Sequence, residues 1–503
     1  MSSFKQLAIV CLISACFFSC KSDTKDTISA NEITDTYAHF ISDMDSLGIA
    51  TGNILVYDQG KVVFKSSRGL RSINPIDSLS LDDQFRLASV SKQFTGMAIM
   101  KLKEAEKLDY DQNVQTILTD FPYDNITIRH LLYHTSGLTD YERLIAENFV
   151  KSDTTKTYIL GNDEILKEFY RVDPPLDFQP GDKWEYSNTG YMVLASIVEK
   201  VSGQHFRTFL KEQITEPLGM TNTTLYKYQQ QADPNMPNRV FGYRKKLNQE
   251  DLELNDYDIV NDVRGDGGIY STLDDLYKWN MALVNHTIIS KDYLDEAWTP
   301  GTLNNGEVTE YGFGWFIEDD PSKPQTVFHS GGWVGFGTFL FNEVETKSGF
   351  IMLTNNTTNY YSDILTGIAT IRAGGNYELP KNRILNEMAK LIFKEDVNKA
   401  ISHYHQVKTD TLHYEDFEDD LNQFGYQLLN ENRIDDALAI FKLNTKEFPN
   451  SANTYDSYAD ALVKNGDTLN ALKNYRKCVE MDSTLQYAKD KVKALEIVYK
   501  FQE

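Results

Sequence analysis

The sequence predicts an α+β fold for most of the chain and an all-α repeat domain at its carboxyl end. The stretch GNILVYDQGKVVFKSSRGL, beginning at Gly52, has two β-branched runs around Asp58-Gln59-Gly60, which indicates a β-hairpin. Four later runs, GFGWFIE, QTVFHS, FGTFLFNE and GFIMLTNN, are rich in aromatic and β-branched residues and spaced like an antiparallel meander. The carboxyl-terminal segment of about a hundred residues lacks such strand signals and contains an internal repeat.

The segments around these strands have helical patterns. Residues 32–46 carry apolar side chains on one helical face, namely Ile33, Tyr37, Phe40 and Ile41. From about residue 110 to 300 the pattern is mostly helical with long polar loops, and another helix is expected near 360–373. Because the hairpin precedes the helices and the meander follows them, we expect one antiparallel sheet assembled from both ends of a single domain at 32–380.

The composition favours a globular protein and excludes nucleic acid as a partner. Hydrophobic residues make up 41% of the 503 positions and aromatic residues 12%, which is sufficient for a sizeable core. The formal net charge is −23, whereas a protein that binds a phosphate backbone needs a basic surface.

The amino terminus has the layout of an export signal. A short basic start, MSSFK, is followed by the apolar run QLAIVCLISACFF, which is too short to span a bilayer, and then by polar SCKSDTKDT. The layout resembles a bacterial lipoprotein signal at 1–20 followed by a tether at 21–31. Cys20, at the change of polarity, is the favoured lipidation site; Cys16 and a cleaved signal without an anchor remain alternatives. We therefore expect export to the bacterial cell envelope and a lipid anchor in a membrane.

Cysteine usage argues against disulfides and metal sites. Three of the four cysteines lie in the signal, so only Cys478 remains after it. One cysteine can form neither an internal disulfide nor a cysteine-based metal site. We predict no metal and no cofactor.

The carboxyl-terminal region repeats with a period of 34 residues. Small, aromatic and turn-type residues recur 34 positions later. The first set is Gly425, Ala437, Phe441 and Pro449, and the matching second set is Ala459, Ala471, Tyr475 and Ser483. This period resembles the tetratricopeptide repeat and predicts two repeats at 418–485 after a helical connector at 381–417, with a capping helix at 486–503. An ordinary set of helical hairpins is the alternative. Stacked helix pairs commonly bind peptides, so a protein or peptide partner is expected here.

Ser89 and Lys92 lie three residues apart at the start of the apolar segment FRLASVSKQFTGMAIMKL. At that spacing they share one face of a helix, whose amino terminus also offers unpaired N–H groups. Acyl transfer needs such a nucleophile, a proton acceptor and donors for the oxyanion. Lysine serves as a base only when burial or a cationic neighbour lowers its pKa from about 10.4. A helix cap beside a surface charge is the alternative for the isolated pair.

A second polar cluster, Tyr186-Ser187-Asn188, precedes another apolar predicted helix. A tyrosine can transfer a proton if neighbouring cations lower its pKa, and an asparagine amide can hold a lysine or a substrate carbonyl. The similar Tyr123-Asp124-Asn125 lacks an apolar helix directly after it and is interpreted as a turn.

A third cluster, His329-Ser330-Gly331, ends the predicted strand QTVF. Small residues at this position let a backbone N–H group approach a substrate closely. A competing stretch, Lys347-Ser348-Gly349, lies between two predicted strands and is interpreted as a hairpin turn.

In this order the three clusters resemble the penicillin-recognising serine hydrolases, above all class C β-lactamases, D-alanyl-D-alanine carboxypeptidases and related esterases. LLYHTSGL at 131–138, GDGGIYSTLDDLYKW at 265–279 and YGFGW at 311–315 support the resemblance, which covers roughly residues 30 to 375. It implies an antiparallel sheet flanked by helices plus a helical subdomain.

The resemblance also implies roles for individual residues. Ser89 would be the acylated nucleophile, with Lys92 and Tyr186 sharing the proton transfers. Asn188, His329, Ser330 and Gly331 would bind the substrate, and the backbone N–H groups of Ser89 and Gly332 would form the oxyanion hole.

Departures from the family pattern bear on the substrate. His329 stands where β-lactamases usually carry lysine, and no counterpart of the class A deacylating glutamate is evident. The resemblance therefore implies a carboxypeptidase-like or D-amino-acid peptidase activity on a small peptide, ester or β-lactam. An esterase, a weak β-lactamase and a non-catalytic penicillin or peptide sensor are the alternatives.

Overall fold

The computed structural model describes residues 30–502 except 152–155, 228–232, 235, 319 and 359. The signal predicted at 1–20, both candidate lipidation sites, Cys16 and Cys20, and the tether as far as residue 29 lie outside the described residues. No helix in the described part of the chain is long and apolar enough to cross a membrane.

The chain divides into two compact units. The first extends as far as Arg244 and continues with Leu254–Leu379, and the second comprises Lys245–Glu253 and the chain from Pro380 onward.

Most of the strands belong to the first unit. In chain order the strands of both units are β1 (Gly52–Asp58), β2 (Lys61–Arg68), β3 (Leu70–Ile73), β4 (Ile76–Ser78), β5 (Phe85–Arg86), β6 (Thr224–Leu225), β7 (Tyr243–Lys245), β8 (Leu252–Leu254), β9 (Ile269–Ser271), β10 (Phe316–Glu318), β11 (Thr326–Trp333), β12 (Phe336–Glu343), β13 (Ser348–Thr354), β14 (Asn356–Thr357), β15 (Asn382–Arg383) and β16 (Tyr414–Glu415).

The helices fall into two groups along the chain. In the first unit they are α1 (Ala30–Ser46), α2 (Ser91–Glu104), α3 (Ile128–Leu132), α4 (Tyr141–Asn148), α5 (Asn162–Val172), α6 (Asn188–Ser202), α7 (Phe206–Leu210), α8 (Leu273–Val284), α9 (Lys291–Ala297) and α10 (Tyr361–Arg372). In the second unit they are α11 (Ile384–Lys394), α12 (Val397–Val407), α13 (Glu418–Asn430), α14 (Ile434–Glu447), α15 (Ala452–Lys464), α16 (Thr468–Met481) and α17 (Gln486–Gln502).

A six-stranded antiparallel sheet organises the first unit, in the order β10-β11-β12-β13-β1-β2. The early hairpin joins the late meander through the pairing of β1 with β13, in which Leu55 lies opposite Ile351. The hairpin turns at Gln59 and Gly60, whose φ angles of 49° and 72° suit a tight two-residue turn. The predicted α+β fold, with one sheet built from both ends of the domain, is confirmed.

Helix α2, which carries Lys92, is deeply buried in the first unit. Eleven of its residues are buried, and the Phe94 ring stacks on Trp279 at 4.3 Å between ring centroids. A β-carbon at Gly96 would come 2.0 Å from the Phe313 carbonyl oxygen, so glycine is required for this close approach. The position of α2 is therefore tightly constrained.

The second unit is helical apart from short strand segments, which confirms the predicted all-α region. Its core contains apolar residues from five successive helices, α11 to α15, among them Met388, Tyr404, Phe424 and Phe441. Cys478 is a buried free thiol. Helices α13–α16 follow one another as two pairs; their assignment as tetratricopeptide repeats, and α17 as a cap, stays a prediction.

Candidate active site

Ser89 lies in a short 3-10 helix, Ala88–Val90, that leads into α2. The sequence suggested that Ser89 opens the α-helix itself; the α-helix begins two residues later. Ala88 has a φ of 48°, a left-handed conformation that costs on the order of 1–3 kcal/mol and persists only where surrounding contacts hold it. The Thr338 hydroxyl supplies such a contact by donating to the Leu87 carbonyl at 2.7 Å. The turn leaves Ser89 half-buried, between fully buried neighbours.

The Lys92 side chain is fully buried beside Ser89. Its Nζ lies 3.2 Å from the Ser89 Oγ and 2.8 Å from the Asn188 Oδ1, and it donates to the Asp266 carbonyl at 2.9 Å. Burial lowers the pKa of Lys92 to about 8, although nearby carboxylates oppose the change. An appreciable fraction of this lysine is therefore neutral near pH 8 and able to accept a proton.

Tyr186 and Asn188 lie at the amino terminus of α6. The helix is capped by Ser187, whose hydroxyl accepts a hydrogen bond from the Gly190 N–H at 3.2 Å. The Tyr186 ring centroid lies 4.8 Å from the Lys92 Nζ, and its phenol hydrogen-bonds the Ser89 side chain.

The sequence left the pKa of Tyr186 open, since a lowered value depends on neighbouring cations. In the structure burial outweighs any such effect and raises the pKa well above 10. Tyr186 is therefore a neutral phenol at physiological pH. Lys92, whose pKa is lowered to about 8, gives up its proton more readily and is the neighbour of Ser89 that is available as a base.

The third cluster lies within β11 rather than at its end, because the strand continues to Trp333. A β-carbon at Gly331 would come 2.3 Å from both the Leu87 carbonyl oxygen and the Thr338 Oγ1. Only glycine allows the strand to approach the segment that carries Ser89 this closely. Half-buried Ser330 and Gly332 flank this contact, next to the Ser89 turn.

His329 is a buried, neutral imidazole. Its Nδ1 donates to the Ser330 carbonyl at 2.6 Å, so its Nε2 accepts from the Tyr311 hydroxyl at 2.9 Å. Burial, together with the positive charge of Lys92, lowers the pKa of His329 to about 3. The position that carries lysine in β-lactamases thus has no positive charge here.

His134 contacts the site in a way that the sequence did not indicate. The expected turn is present, with φ angles of 58° at His134 and 72° at Gly137. In addition, the His134 Nδ1 accepts from the Ser187 N–H at 3.0 Å and its carbonyl accepts from the Glu185 N–H at 2.9 Å. The His134 ring lies 4.4 Å from the Tyr186 ring. His134 therefore holds the backbone on both sides of Tyr186.

The sequence analysis also did not identify the carboxyl groups that lie near Lys92. The Asp266 carboxylate accepts from the Tyr141 hydroxyl at 2.7 Å, and the Asn188 Nδ2 lies 3.5 Å from the Glu142 Oε1. Burial and the charges of Asp140 and Asp266 raise the pKa of Glu142 to about 7, although the residue keeps exposure to solvent. Only spatial proximity unites these residues, so no spacing rule finds them.

The two competing motifs lie elsewhere. The backbone turns at Lys347, where φ is 53°, and its carbonyl accepts from the Gly60 N–H at 2.8 Å, so this stretch lies beside the β1–β2 turn. The Tyr123 hydroxyl donates to the Pro174 carbonyl at 2.6 Å. Within the described residues no group of histidine, cysteine and acidic side chains is arranged to hold a metal ion.

The structure therefore gathers Ser89, Lys92, Tyr186, Asn188 and His329 around one site, with Tyr186 and His329 ring centroids 6.0 Å apart. A serine beside a buried lysine, on an antiparallel sheet flanked by helices, defines the class of the penicillin-recognising serine hydrolases. The Beta-lactamase family model matches residues 38–369, and the chain belongs to this family. The predicted family resemblance is confirmed.

Known proteins agree with this assignment. Penicillin-binding protein 4* of Bacillus subtilis (strain 168) is 35% identical over 339 residues, which cover 66% of this chain and 74% of that protein. The crystal structure of a penicillin binding protein from Bacillus halodurans shares the fold with a TM-score of 0.56 at 24% identity, over 66% of this chain and 98% of that one. D-amino acid amidase from Ochrobactrum anthropi SV3 does so with a TM-score of 0.54 at 21% identity, over 68% and 96% respectively.

Proposed function

We propose that this protein is an exported serine hydrolase that cleaves an amide or ester bond through an acyl-enzyme on Ser89. Its substrates are D-amino-acid peptides, as for a D-alanyl-D-alanine carboxypeptidase or a D-amino-acid peptidase. One observation carries the proposal: the buried Lys92 amine, with a pKa of about 8, lies 3.2 Å from the Ser89 hydroxyl. This pair supplies a nucleophile and a base, an appreciable fraction of which is free of its proton near pH 8.

In acylation, the Ser89 Oγ bonds to the substrate carbonyl carbon while its proton passes to the neutral Lys92 amine. The bond to the leaving amine or alcohol then breaks, and that group receives the proton from Lys92, by way of the Tyr186 phenol. In deacylation, water attacks the acyl carbon, Lys92 accepts the water proton, and the Ser89 Oγ leaves and is protonated again. Tyr186 suits the relay because it keeps its proton at rest and hydrogen-bonds Ser89.

The oxyanion of each tetrahedral intermediate would accept hydrogen bonds from the backbone N–H groups of Ser89 and Gly332. The close packing of Gly331 against Leu87 supports this assignment, because it holds the strand beside the Ser89 turn. Donors positioned in advance are worth about 10²–10³ in rate per hydrogen bond.

The neutral His329 favours peptidase or esterase activity over efficient β-lactam hydrolysis. The buried imidazole offers no positive charge to the carboxylate of a β-lactam, nor to the terminal carboxylate of a D-alanyl-D-alanine peptide, so amide and ester substrates without a carboxylate are favoured most. The similarity to a D-amino acid amidase supports amide substrates of D-configuration. An esterase or weak β-lactamase of the same family remains the second candidate. A sensor that only binds penicillin or peptides would not need the Ser89–Lys92–Tyr186 arrangement.

The location and partners of the protein extend this proposal. The apolar run and Cys20, or Cys16, support export and a lipid anchor in the cell envelope. The 34-residue period supports two tetratricopeptide repeats at 418–485 that bind a protein or peptide.

Covalent labelling of the full chain tests the enzymatic proposal. We expect a fluorescent fluorophosphonate, and more slowly a fluorescent penicillin, to label the wild type. Ser89→Ala should abolish the labelling because the nucleophile is gone.

The matched control is Ser91→Ala, in the same Ser-Val-Ser-Lys stretch. The Ser91 hydroxyl accepts a hydrogen bond from the Ile269 N–H at 3.2 Å and has no role in the proposed acyl transfer. Ser91→Ala should therefore leave labelling in place. If neither probe labels the wild type above the Ser89→Ala background, the enzymatic proposal fails. Turnover of a D-Ala-D-Ala peptide, a cephalosporin and a nitrophenyl ester then ranks the substrates.

A further inference from the structure

Trp333 is the last residue of β11, and the acyl-transfer steps assign it no role. Strand β11 pairs with β12 in an unbroken register along its whole length. Because side chains alternate across a strand, Trp333 lies on the same face of the sheet as His329 and Gly331. The turn that carries Ser89 packs against this face at Gly331. Trp333 therefore belongs to the side of the sheet on which the reacting serine lies.

The order of residues along β11 indicates which part of a substrate reaches Trp333. The groups that transfer protons lie at the His329 end, since the Tyr186 ring centroid is 6.0 Å from that of His329 and 4.8 Å from the Lys92 Nζ. The leaving group must lie at this end, because it receives its proton there. Trp333 is four residues further along the strand, about 13 Å away at 3.3 Å per residue. The acyl side of the substrate therefore extends toward Trp333.

Two polar side chains hold the indole ring of Trp333 in place. Its Nε1 donates to the Asn261 Oδ1 at 2.8 Å, and the Arg86 Cζ lies 4.9 Å from the ring centroid. Arg86 is buried and also donates to the Asn261 Oδ1, at 3.1 Å. A cation–π contact of this kind is worth about 0.5–2 kcal/mol. Because the ring is already fixed, a ligand that packs on it loses little free energy by ordering it.

The same ring offers an apolar surface to a ligand. Trp333 is only half-buried, and so is Tyr226, whose ring centroid lies 5.7 Å from the same Arg86 Cζ. An apolar group that covers such a surface gains roughly 25 cal/mol for each Å² removed from water, and a pair of aromatic rings gains about 0.5–1.5 kcal/mol more. A large apolar side chain on the acyl side of the substrate would gain more here than a methyl group.

We infer that Trp333 forms the wall of a subsite for the side chain of the substrate residue that acylates Ser89. The enzyme then prefers D-amino-acid derivatives with an aromatic side chain at this residue over those of D-alanine. Asn261, which is buried and bonded to the indole, is a positioning residue for this wall. The inference rests on the proposed function, because it requires the substrate carbonyl carbon to bond to the Ser89 Oγ.

Protection of Ser89 from a fluorophosphonate measures this preference without requiring turnover. The full-length protein is labelled in the presence of D-phenylalaninamide or D-alaninamide, which differ only in the side chain. We expect D-phenylalaninamide to protect Ser89 at a concentration at least about tenfold lower, as is usual for a larger group in an apolar pocket. In Trp333→Ala the ratio should fall to about twofold or less, whereas Trp333→Phe retains a ring and should keep part of it.

Taking the ratio of the two amides within each variant removes any effect of the substitution on the reactivity of Ser89. Phe241→Ala is the matched control, because Phe241 is another exposed ring that stacks on an arginine, 4.7 Å from the Arg239 Cζ. It should keep the wild-type ratio. Equal protection by both amides in the wild type, protection by neither, or an unchanged ratio in Trp333→Ala would overturn the inference.

A double substitution tests the positioning role of Asn261. Asn261→Ala should lower the ratio about threefold in the wild type, because the indole loses its hydrogen bond, and should not change it in Trp333→Ala. A similar fall in both backgrounds would show that Asn261 acts on the site without Trp333.

The experiment also separates this inference from the proposed function. Labelling of the wild type that is lost in Ser89→Ala, with no preference between the two amides, leaves the acyl-enzyme proposal standing and removes only the subsite. Absence of labelling in the wild type removes both.

Discussion

Burial acts in opposite directions on the two proton-carrying residues beside Ser89. Removing an ammonium from water favours its neutral form, and the pKa of Lys92 is lowered to about 8. Removing a phenolate from water also favours the neutral form, and the pKa of Tyr186 is raised. The same apolar surroundings therefore produce a free base and a proton-bearing donor.

His134 provides a prediction at the scale of one residue. His134→Ala should lower kcat about tenfold or more, because Tyr186 loses its packing and the Ser187 N–H loses its acceptor, at a cost of about 1–3 kcal/mol. His134→Asn should keep kcat within about threefold, since its side-chain oxygen can replace Nδ1 and asparagine tolerates a positive φ. Turnover and thermal unfolding of each variant check this.

His286→Ala is the control for backbone strain, because His286 also has a positive φ, of 55°. It should lower the melting temperature without changing kcat. A kcat of His134→Ala that falls no more than that of His286→Ala would show that His134 has only a structural role.

At the scale of elements, β11 and the turn before α2 depend on each other. The Thr338 hydroxyl donates to the Leu87 carbonyl, and a β-carbon on Gly331 would come 2.3 Å from the same oxygen. The sequence indicated a small residue at position 331 but not the surface that it faces. Close approach between segments so distant in sequence can be seen only in the folded chain.

Gly331→Ala should therefore displace the strand from the Ser89 turn. We expect the rate of Ser89 labelling to fall about 100-fold, the order of loss expected when catalytic groups are misplaced by about 1 Å. Labelling kinetics measure this. In Gly48→Ala, where φ is 69° and no atom lies within 4 Å of the new carbon, only stability should change. A Gly331→Ala protein labelled at the wild-type rate would refute the role of this contact.

Some residues of the site could be predicted from the sequence and others could not. Ser89, Lys92, Tyr186, Asn188 and His329 were predicted because each lies in a short motif at the start of an apolar helix or in a strand. The carboxyl groups near Lys92 were not predicted, because only the folded chain brings Asp266 near Asp140 and Glu142, by way of the Tyr141 hydroxyl. The direction of the Tyr186 pKa could not be predicted, because the extent of burial is not visible in a motif.

At the scale of the whole molecule, the two units have separate cores. The helices between 381 and 417, predicted as a connector, contribute Met388 and Tyr404 to the same core as Phe424 and Phe441 of the predicted repeats. A truncation at residue 418 would therefore expose half of this core, and one after Leu379 would remove nearly all of it.

A chain that ends at Leu379 should keep small-substrate turnover within about twofold of the full-length protein, because all predicted catalytic residues belong to the first unit. Circular dichroism and kcat/KM on one chromogenic substrate test this. A truncated protein that is folded but inactive would mean that the second unit contributes to the active site.

The pH dependence of Ser89 labelling tests the central claim most directly. Lys92 loses its proton as the pH rises through about 8, whereas His329, with a pKa of about 3, and Tyr186, with a raised pKa, do not titrate there. Glu142, with a pKa of about 7, titrates at lower pH and is still present in the Lys92→Met variant. The fluorophosphonate labelling rate between pH 6 and 10 should rise with a midpoint near pH 8, and Lys92→Met should lower it about 10²–10⁴-fold and remove the midpoint. A wild-type rate without an inflection between pH 7 and 9, or one that Lys92→Met leaves unchanged, would contradict the account.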